Sequence, residues 1–597
     1  MEKYNVPAHS AELAADKSLE TLYRITMSYD DSVIACWLEN DEEKFMTFAE
    51  MGALADRCGA ALYSRVSETS WVAIAVDTCP EWTGVFWGAI RSGHNVLLLD
   101  AAATDEQIQA LLNEAGCRVL ITKKKRNLAP EYRQLDFMTL VASPAVADFR
   151  PVWGEMVAMC TSGTTGRSRI FAYDGAALCE QALNSELVYN ANHRLIEDDC
   201  HRFLAFLPFH HVLGFIANVI WGGFLGMTNI FLADRTPASI MNACRHFKPQ
   251  LVVVVPLVGN NLVKGLNRNL KKQSAGKRFA FKLMSGLSLA LQTVAPERGL
   301  QFAEKKLFRS VNESLLGTEL KAMILGGSHA PAETLRTLNA LGYYTISGFG
   351  MTETAITSFE MSMNLKKRLS GSVGKPLDSI DYRVVGQQDD AKVGEMQIRG
   401  KSIHSGRLSQ GQLLPPDTDA EGWYPTGDVV RMENSGRIFI QGRLKDVIIN
   451  ESGENIYPDD LEDRFSNLSG VEEFSVLGLK RSKRDQNEDV ALVMNVGTAY
   501  SDPEKLKKLT AEVAKINAKL PLYTQLNRVL VTDASLPVVN GIKVKRLALK
   551  EMLAEKQLNY RELDLHSIEV MQEIAAVRDD AGKTIVNDRE IMNKVRA

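Results

Sequence analysis

The sequence has little of what would mark several common protein classes. Cysteine is scarce: eight in 597 residues, all single, and none beyond Cys244. So few, so widely scattered, do not make a disulfide scaffold, and no C-x-x-C pair occurs, which leaves zinc-ribbon and thioredoxin readings without support. The cysteines are expected to be small buried apolar residues. Neither sign of charge dominates. There are 69 Lys and Arg against 73 Asp and Glu, for a net charge of −4, so no general attraction to nucleic acid or to an anionic membrane is expected. The first twenty residues are polar and lack an apolar signal core, so a cytoplasmic setting is expected. Internal repeats and low-complexity tracts are missing. So are the lysine-bearing phosphate loop and the G-x-G-x-x-G dinucleotide fingerprint.

What is present is ordinary globular material. Apolar residues make up 45% and charged residues 24%, enough for several buried cores and incompatible with disorder over most of the chain. One stretch, residues 212–233, carries no charge and is long enough to cross a bilayer. Its Gly214, Asn218, Gly222, Gly223, Gly226 and Asn229 favour instead a buried helix, a turn at 226–229 and a buried strand at 230–233.

Short apolar runs at 71–76, 95–99, 118–122, 156–159, 251–255 and 322–325 predict strands. Amphipathic segments at 81–92 and 105–115 predict helices between them. Continuous apolar strands alternating with helices predict a parallel sheet covered on both faces. Past residue 370 the runs 382–385, 395–398 and 437–440 pair with turns and predict antiparallel hairpins. A smaller α+β unit is expected from about residue 444, with strands at 447–449, 474–477 and 490–493. Residues 263–306 are basic and amphipathic. They read either as a solvated helical pair or as a surface that meets acyl chains or lipid headgroups.

The strongest local signal is Cys160-Thr-Ser-Gly-Thr-Thr-Gly166. Backbone N–H groups and hydroxyls in such a loop can converge on the oxygens of a polyphosphate; an ordinary hydroxyl-rich turn is the alternative. Four further segments follow in order: Leu207-Pro-Phe-His-His-Val-Leu-Gly214, Gly326-Gly-Ser-His-Ala330, Ser347-Gly-Phe-Gly-Met-Thr-Glu353, and Trp423-Tyr-Pro-Thr-Gly-Asp428 with Gly442-Arg-Leu-Lys-Asp446 close behind. Leu536-Pro-Val-Val-Asn-Gly-Ile-Lys-Val-Lys-Arg546 comes last.

In this order the segments resemble the adenylate-forming superfamily of acyl-CoA synthetases, adenylation domains and firefly luciferase, over about residues 45–546. The resemblance implies an α/β fold: a large N-terminal domain (1–442) of parallel-rich sheets with covering helices and a small β-barrel-like part. A small mobile α+β C-terminal domain (443–550) would follow, hinged at 443–446, and then an extension (551–597) of unknown role. It implies that Thr161, Ser162, Gly163, Thr164, Thr165, Gly166 and Arg169 bind ATP phosphates. Gly326, Gly327, Ser328, Gly348, Phe349, Gly350, Met351 and Thr352 would line the nucleotide, with Phe349 stacking on adenine. Asp428 and Arg443 would hold the ribose, Glu353 Mg²⁺, and His211 would lie near the substrate carboxylate. Lys543 would be the adenylation lysine and Lys445 the hinge.

The implied activity is ATP-dependent conversion of a carboxylic acid to an acyl-adenylate, then transfer to a thiol, coenzyme A, with release of AMP and pyrophosphate. Residues 207–214 lack the aspartate with which amino-acid-activating relatives hold an ammonium. The insertion at 263–306 and the segment 445–457 are similar to fatty acyl-CoA synthetases, so a fatty acid is expected. Alternatives are loading of an acyl carrier protein, or a degenerate relative that binds nucleotide or acyl groups as a scaffold. At most peripheral membrane contact is expected. The sequence departs from the family pattern at Ser168 and Arg169, where proline and lysine are usual, at Phe349 for tyrosine, and at Gly541, one place early. The tail segment 563–570 faintly resembles the serine segment of carrier proteins at Ser567, but a packing helix or partner arm is expected there.

Overall fold

The computed structural model describes residues 6–66, 71–146, 148–161, 169–191, 202–386, 392–449, 455–466, 468–480, 488–539, 543–565 and 567. The chain divides into two compact units. The first comprises Met1–Lys392, Met396–Thr426 and Met432–Phe439; the second comprises Val393–Glu395, Gly427–Arg431 and Ile440–Ala597.

In the first unit, continuous apolar strands form two large sheets. One sheet runs in the order Glu42–Thr47, Val33–Glu39, Thr228–Ile230, Arg202–Leu204, Leu251–Val254, Ala322–Leu325, Tyr344–Met351, Ala355–Phe359, Lys375–Pro376. From Val33–Glu39 through Tyr344–Met351 every neighbouring pair is parallel. The second runs Gln412–Leu414, Gly406–Ser409, Ile170–Asp174, Met156–Cys160, Asn95–Leu98, Trp71–Ala75, Val119–Thr122, Arg133–Asp136. Its pairs are parallel from Met156–Cys160 to Arg133–Asp136. Leu251–Val254 and Ala322–Leu325 are buried at every position, as strands covered on both faces must be. The strands Ile380–Val385, Lys392–Gly400, Tyr424–Met432 and Ile438–Arg443, in the region where the sequence predicts antiparallel hairpins, form a four-stranded sheet in that order, with Val393–Glu395, Gly427–Arg431 and residues 440–443 counted in the second unit.

The uncharged stretch is a buried helix. It is α-helical at Val212–Gly214, π-helical at Phe215–Trp221 and α-helical again at Gly222–Phe224. Gly226 turns the chain at φ 65°, a conformation open to glycine. The strand that follows is Thr228–Ile230, two residues earlier than expected, because Asn229 belongs to it: Asn218 Nδ2 donates to Asn229 Oδ1 at 2.9 Å, and Asn229 Nδ2 to the Asn218 carbonyl at 3.1 Å. No helix among the described residues is long and apolar enough to cross a membrane.

The second unit has its own sheet, ordered Glu473–Leu479, Asp489–Asn495, Arg528–Thr532, Arg561–Glu562, and its own core around Phe465, Leu492, Val513 and Val529. The segment expected as an extension contributes here. Arg561–Glu562 adds an antiparallel edge strand, Leu558 and Leu565 are buried, and the helix Arg546–Ala554 precedes them. Residues 568–597 lie outside the described residues.

Candidate active site

Ligands of open α/β sheets bind beyond the carboxyl ends of the parallel strands. In the first unit the sequence-predicted residues lie at those ends. Gly326, Gly327 and Ser328 leave Ala322–Leu325; Gly348 to Met351 close the adjacent strand Tyr344–Met351, with Thr352 and Glu353 turning out of it; His211 follows the segment that leaves Arg202–Leu204. Thr161 leaves the parallel strand Met156–Cys160 of the other sheet. Gly326 lets backbone and side chain meet: a Cβ there would lie 3.1 Å from Leu213 Cδ2, which joins the 326 loop to the 207–214 segment. Gly327 has φ 89°. A register shift between Phe349 and Gly350 bends the strand where it enters the turn.

Three bonds fix that turn. The buried Tyr173 hydroxyl donates to the Thr352 carbonyl at 2.7 Å. The backbone N–H of His404 donates to the Glu353 carbonyl at 3.1 Å, and His404 Nδ1 lies 2.6 Å from the same oxygen. Burial, and secondarily the negative charge of Glu353, holds the Tyr173 hydroxyl well above its ordinary range, so it stays protonated as a donor. His404 is 2% exposed, edge-on to Phe171 at 4.9 Å and to Tyr424 at 5.2 Å. Neither Tyr173 nor His404 sits in a motif, so no local pattern marks them.

The 207–214 segment is tied across to the second sheet. The Phe209 N–H donates to Thr78 Oγ1 at 3.0 Å, and His210 Nε2 lies 3.8 Å from Asp100; Thr78 and Asp100 follow carboxyl ends of that sheet. The rings of His210 and His211 are 4.2 Å apart. Burial lowers both imidazoles below the ordinary histidine range; the carboxylate of Asp100 opposes the effect and Arg235 adds to it. Both are therefore neutral at pH 7. Beneath the segment is a cavity of about 30 Å³ lined by side chains including Val188, Leu213, Trp221, Met227, Ile324 and Phe359.

Thr161 and Arg169 close the base of the hydroxyl-rich loop: the Thr161 N–H donates to the Arg169 carbonyl at 2.9 Å and the Arg169 N–H to Thr161 Oγ1 at 3.1 Å. Ser162, Gly163, Thr164, Thr165 and Gly166 lie outside the described residues, as do Ser168 and Gly541.

The remaining predicted residues belong to the second unit. Asp428 is 4% exposed and receives Arg443 Nε at 2.9 Å. Lys445 lies in the exposed 3₁₀ turn Leu444–Asp446. The Lys543 backbone pairs with Val539 in a two-residue ladder. Two residues beyond Val544, the buried Arg546 binds Asp446 at 3.0 Å, Glu462 at 2.8 Å and also Asp459. Burial alone would lower the Arg546 guanidinium, but Glu462 and Asp459 raise it well above its ordinary value.

A divalent ion can be tested against this geometry. Glu353 brings a carboxylate and Thr352 a hydroxyl to that turn, both hard oxygen donors. Among the described residues no group of three or more His, Cys, Asp or Glu side chains could hold a metal. One carboxylate fits Mg²⁺, which is commonly bound through one or two carboxylates plus substrate phosphates and water.

The fold is that of a mixed α/β enzyme with a smaller second unit. Residues 26–407, more than half of the chain, match the family model of the AMP-binding enzymes, and the chain belongs to that family, as the order of its motifs implied. A long-chain-fatty-acid–CoA ligase 2 of Schizosaccharomyces pombe is 28% identical over 326 residues, 51% of this chain and 45% of the yeast protein. The chain's match thus spans less than half the length of that relative. A chloroplastic long-chain-fatty-acid–[acyl-carrier-protein] ligase, AEE15 of Arabidopsis thaliana, is 21% identical over 66% of this chain and 59% of its own. The structure of o-succinylbenzoate CoA synthetase (MenE) from Bacillus subtilis, with its acyl-adenylate OSB-AMP, superposes with a TM-score of 0.67 at 20% identity. It covers 89% of this chain and 97% of that one.

Proposed function

We propose that the protein uses ATP to activate a carboxylic acid, a long-chain fatty acid by the names of its relatives, and passes the acyl group to the thiol of coenzyme A. The observation that carries this reading is the convergence described above: His211, the 326–328 loop and the fixed Thr352–Glu353 turn leave carboxyl ends of one parallel sheet, over an apolar cavity.

A carboxylate is a weak nucleophile and repels a triphosphate, so the site must screen charge and align the reactants. Mg²⁺ at Glu353 would supply charge neutralisation on the phosphate oxygens. Thr161 and the loop it opens would cradle those phosphates, and Arg169 adds positive charge at the loop's base. A neutral His211 orients the substrate carboxylate by hydrogen bonding without neutralising the charge that makes it attack. Asp428 and Arg443 would hold the ribose. As the carboxylate oxygen bonds to the α-phosphorus, the bond to pyrophosphate breaks, and Lys543 stabilises the charge leaving with it. In the second half-reaction the thiol sulfur attacks the acyl carbonyl and AMP departs. Lys445 would absorb the backbone rotation between the two steps.

The apolar cavity and the lack of a carboxylate in 207–214 support an acyl chain over an amino acid, whose buried ammonium would have no partner there. Its volume is about one water's share of the liquid, so seating a long chain requires the surrounding side chains to move. The π-helical turn at Phe215–Trp221 is a place for that, since such turns concentrate at functional sites. The Arabidopsis relative favours a second acceptor, an acyl carrier protein. A hydroxamate-trapping screen over fatty acids of graded length tests the substrate, with an optimum among long chains expected; a flat response contradicts the assignment. Thioester formation on coenzyme A against carrier protein decides the acceptor.

A further inference from the structure

We propose that the outer face of the helix Ala275–Val294 docks the protein onto an anionic lipid bilayer. The inference stands apart from the reaction proposed above and rests on charge and exposure alone.

The sequence separates charge sharply here. Between Asp234 and Glu297 there is no carboxylate, while ten lysines and arginines occur, in a chain whose net charge is −4. Seven of the ten, Lys264, Arg268, Lys271, Lys272, Lys277, Arg278 and Lys282, are exposed on the helix Pro256–Lys271, the turn after it and the first turns of Ala275–Val294.

The second helix is apolar on two opposite faces. Its inner face is committed to the first unit: Phe281 and Met284 pack against the main core, Ser288 Oγ donates to the Ala340 carbonyl at 2.7 Å, and Gln292 Nε2 to the Asn339 carbonyl at 2.8 Å. The outer face carries Phe279, Leu283, Leu287 and Val294, which are 70%, 64%, 46% and 87% exposed. The spacing of four, four and seven places them on one stripe. Ala280, Gly286 and Ala290 continue it, all exposed. A Cβ added at Gly276 or Gly286 would meet nothing within 4 Å. The helix of 20 residues is about 30 Å long, and the stripe from Phe279 to Val294 takes up about 24 Å of it.

An apolar stripe flanked by lysine and arginine, without acids, matches an interface-lying helix whose apolar side enters the headgroup boundary while its cations meet anionic lipid. A second copy of the chain is a poorer occupant. A two-fold contact sets the patch against itself, so the cations would oppose one another.

The test is co-sedimentation of the full chain with vesicles of phosphatidylcholine alone and of phosphatidylcholine mixed with phosphatidylglycerol. Binding to the mixed vesicles is expected to exceed binding to the neutral ones about tenfold and to weaken with added salt. Phe279→Glu combined with Leu283→Glu, and separately Lys277→Glu with Lys282→Glu, are each expected to reduce it about tenfold with unchanged circular dichroism. Phe279→Trp fluorescence should shift to the blue on mixed vesicles only. Equal binding by parent and variants, no binding to mixed vesicles, or a parent dimer that Phe279→Glu dissociates in sedimentation velocity would each overturn the proposal.

Discussion

His404 Nδ1 lies 2.6 Å from the carbonyl oxygen of Glu353, so a buried histidine from one sheet-linking segment holds the backbone of the carboxylate proposed to serve Mg²⁺. Replacing it with leucine keeps bulk between Phe171 and Tyr424 and removes the ring's bond. One such bond is worth about 0.5–1.5 kcal/mol, so His404→Leu is expected to lower kcat/KM for Mg-ATP by up to about tenfold. His404→Gln, which keeps a donor, should recover part of that. Steady-state hydroxamate assays at varied Mg-ATP check it; a full effect in the glutamine variant would point to packing instead.

Asp428 and Arg443 form the pair proposed to read the ribose. Asp428→Ala is expected to raise KM for ATP about ten- to a hundredfold, the worth of charged hydrogen bonds. The parent should discriminate against 2′,3′-dideoxy-ATP and the variant should not. Equal discrimination by both would remove Asp428 from ribose binding.

Arg546 faces Asp446, Asp459 and Glu462 within the second unit. Removing the cation leaves carboxylates without a partner in a mostly dry setting. Arg546→Met should therefore destabilise this unit by about 3 kcal/mol, read as an earlier transition in urea. Because Asp446 adjoins Lys445 and Arg546 follows Lys543 closely, the same variant tests whether this cluster holds the hinge turn against the lysine hairpin.

His210 and His211 are half-buried and neutral, their proton affinity lowered mainly by desolvation. In the unfolded chain each protonates near pH 6.5. Below that pH the unfolded state binds more protons than the native one, so stability falls as pH drops through about 6.5. For His210, held down to about 3 chiefly by burial, the slope approaches about 1.4 kcal/mol per pH unit; His211 adds in the same direction. Thermal unfolding between neutral and mildly acidic pH measures it, and His210→Asn with His211→Asn should flatten the profile.

The central strands were legible to within a residue or so: 71–76 against Trp71–Ala75, and Ala322–Leu325 identical. Their apolar runs are continuous because both faces are covered. The hairpin Val33–Glu39 with Glu42–Thr47 was not read, although Asn40 and Asp41 at φ 51° and 63° form the kind of two-residue loop that asparagine and aspartate favour. The π-helical turn at Phe215–Trp221 follows neither common period. In the helical pair after residue 255, sequence predicted amphipathicity but could not say which apolar side stays uncovered. Tyr173 and His404 reach the Thr352–Glu353 turn across separations of 179 and 51 residues. No local pattern encodes such contacts, whereas each motif residue lies in a short ordered segment.

The most direct test of the whole account is fatty-acid-dependent exchange of labelled pyrophosphate into ATP, compared between the parent and Lys543→Ala. The account predicts exchange by the parent and its loss by at least about a hundredfold in the variant. Absence of exchange in the parent with every acid tried, or equal exchange in both proteins, would contradict it.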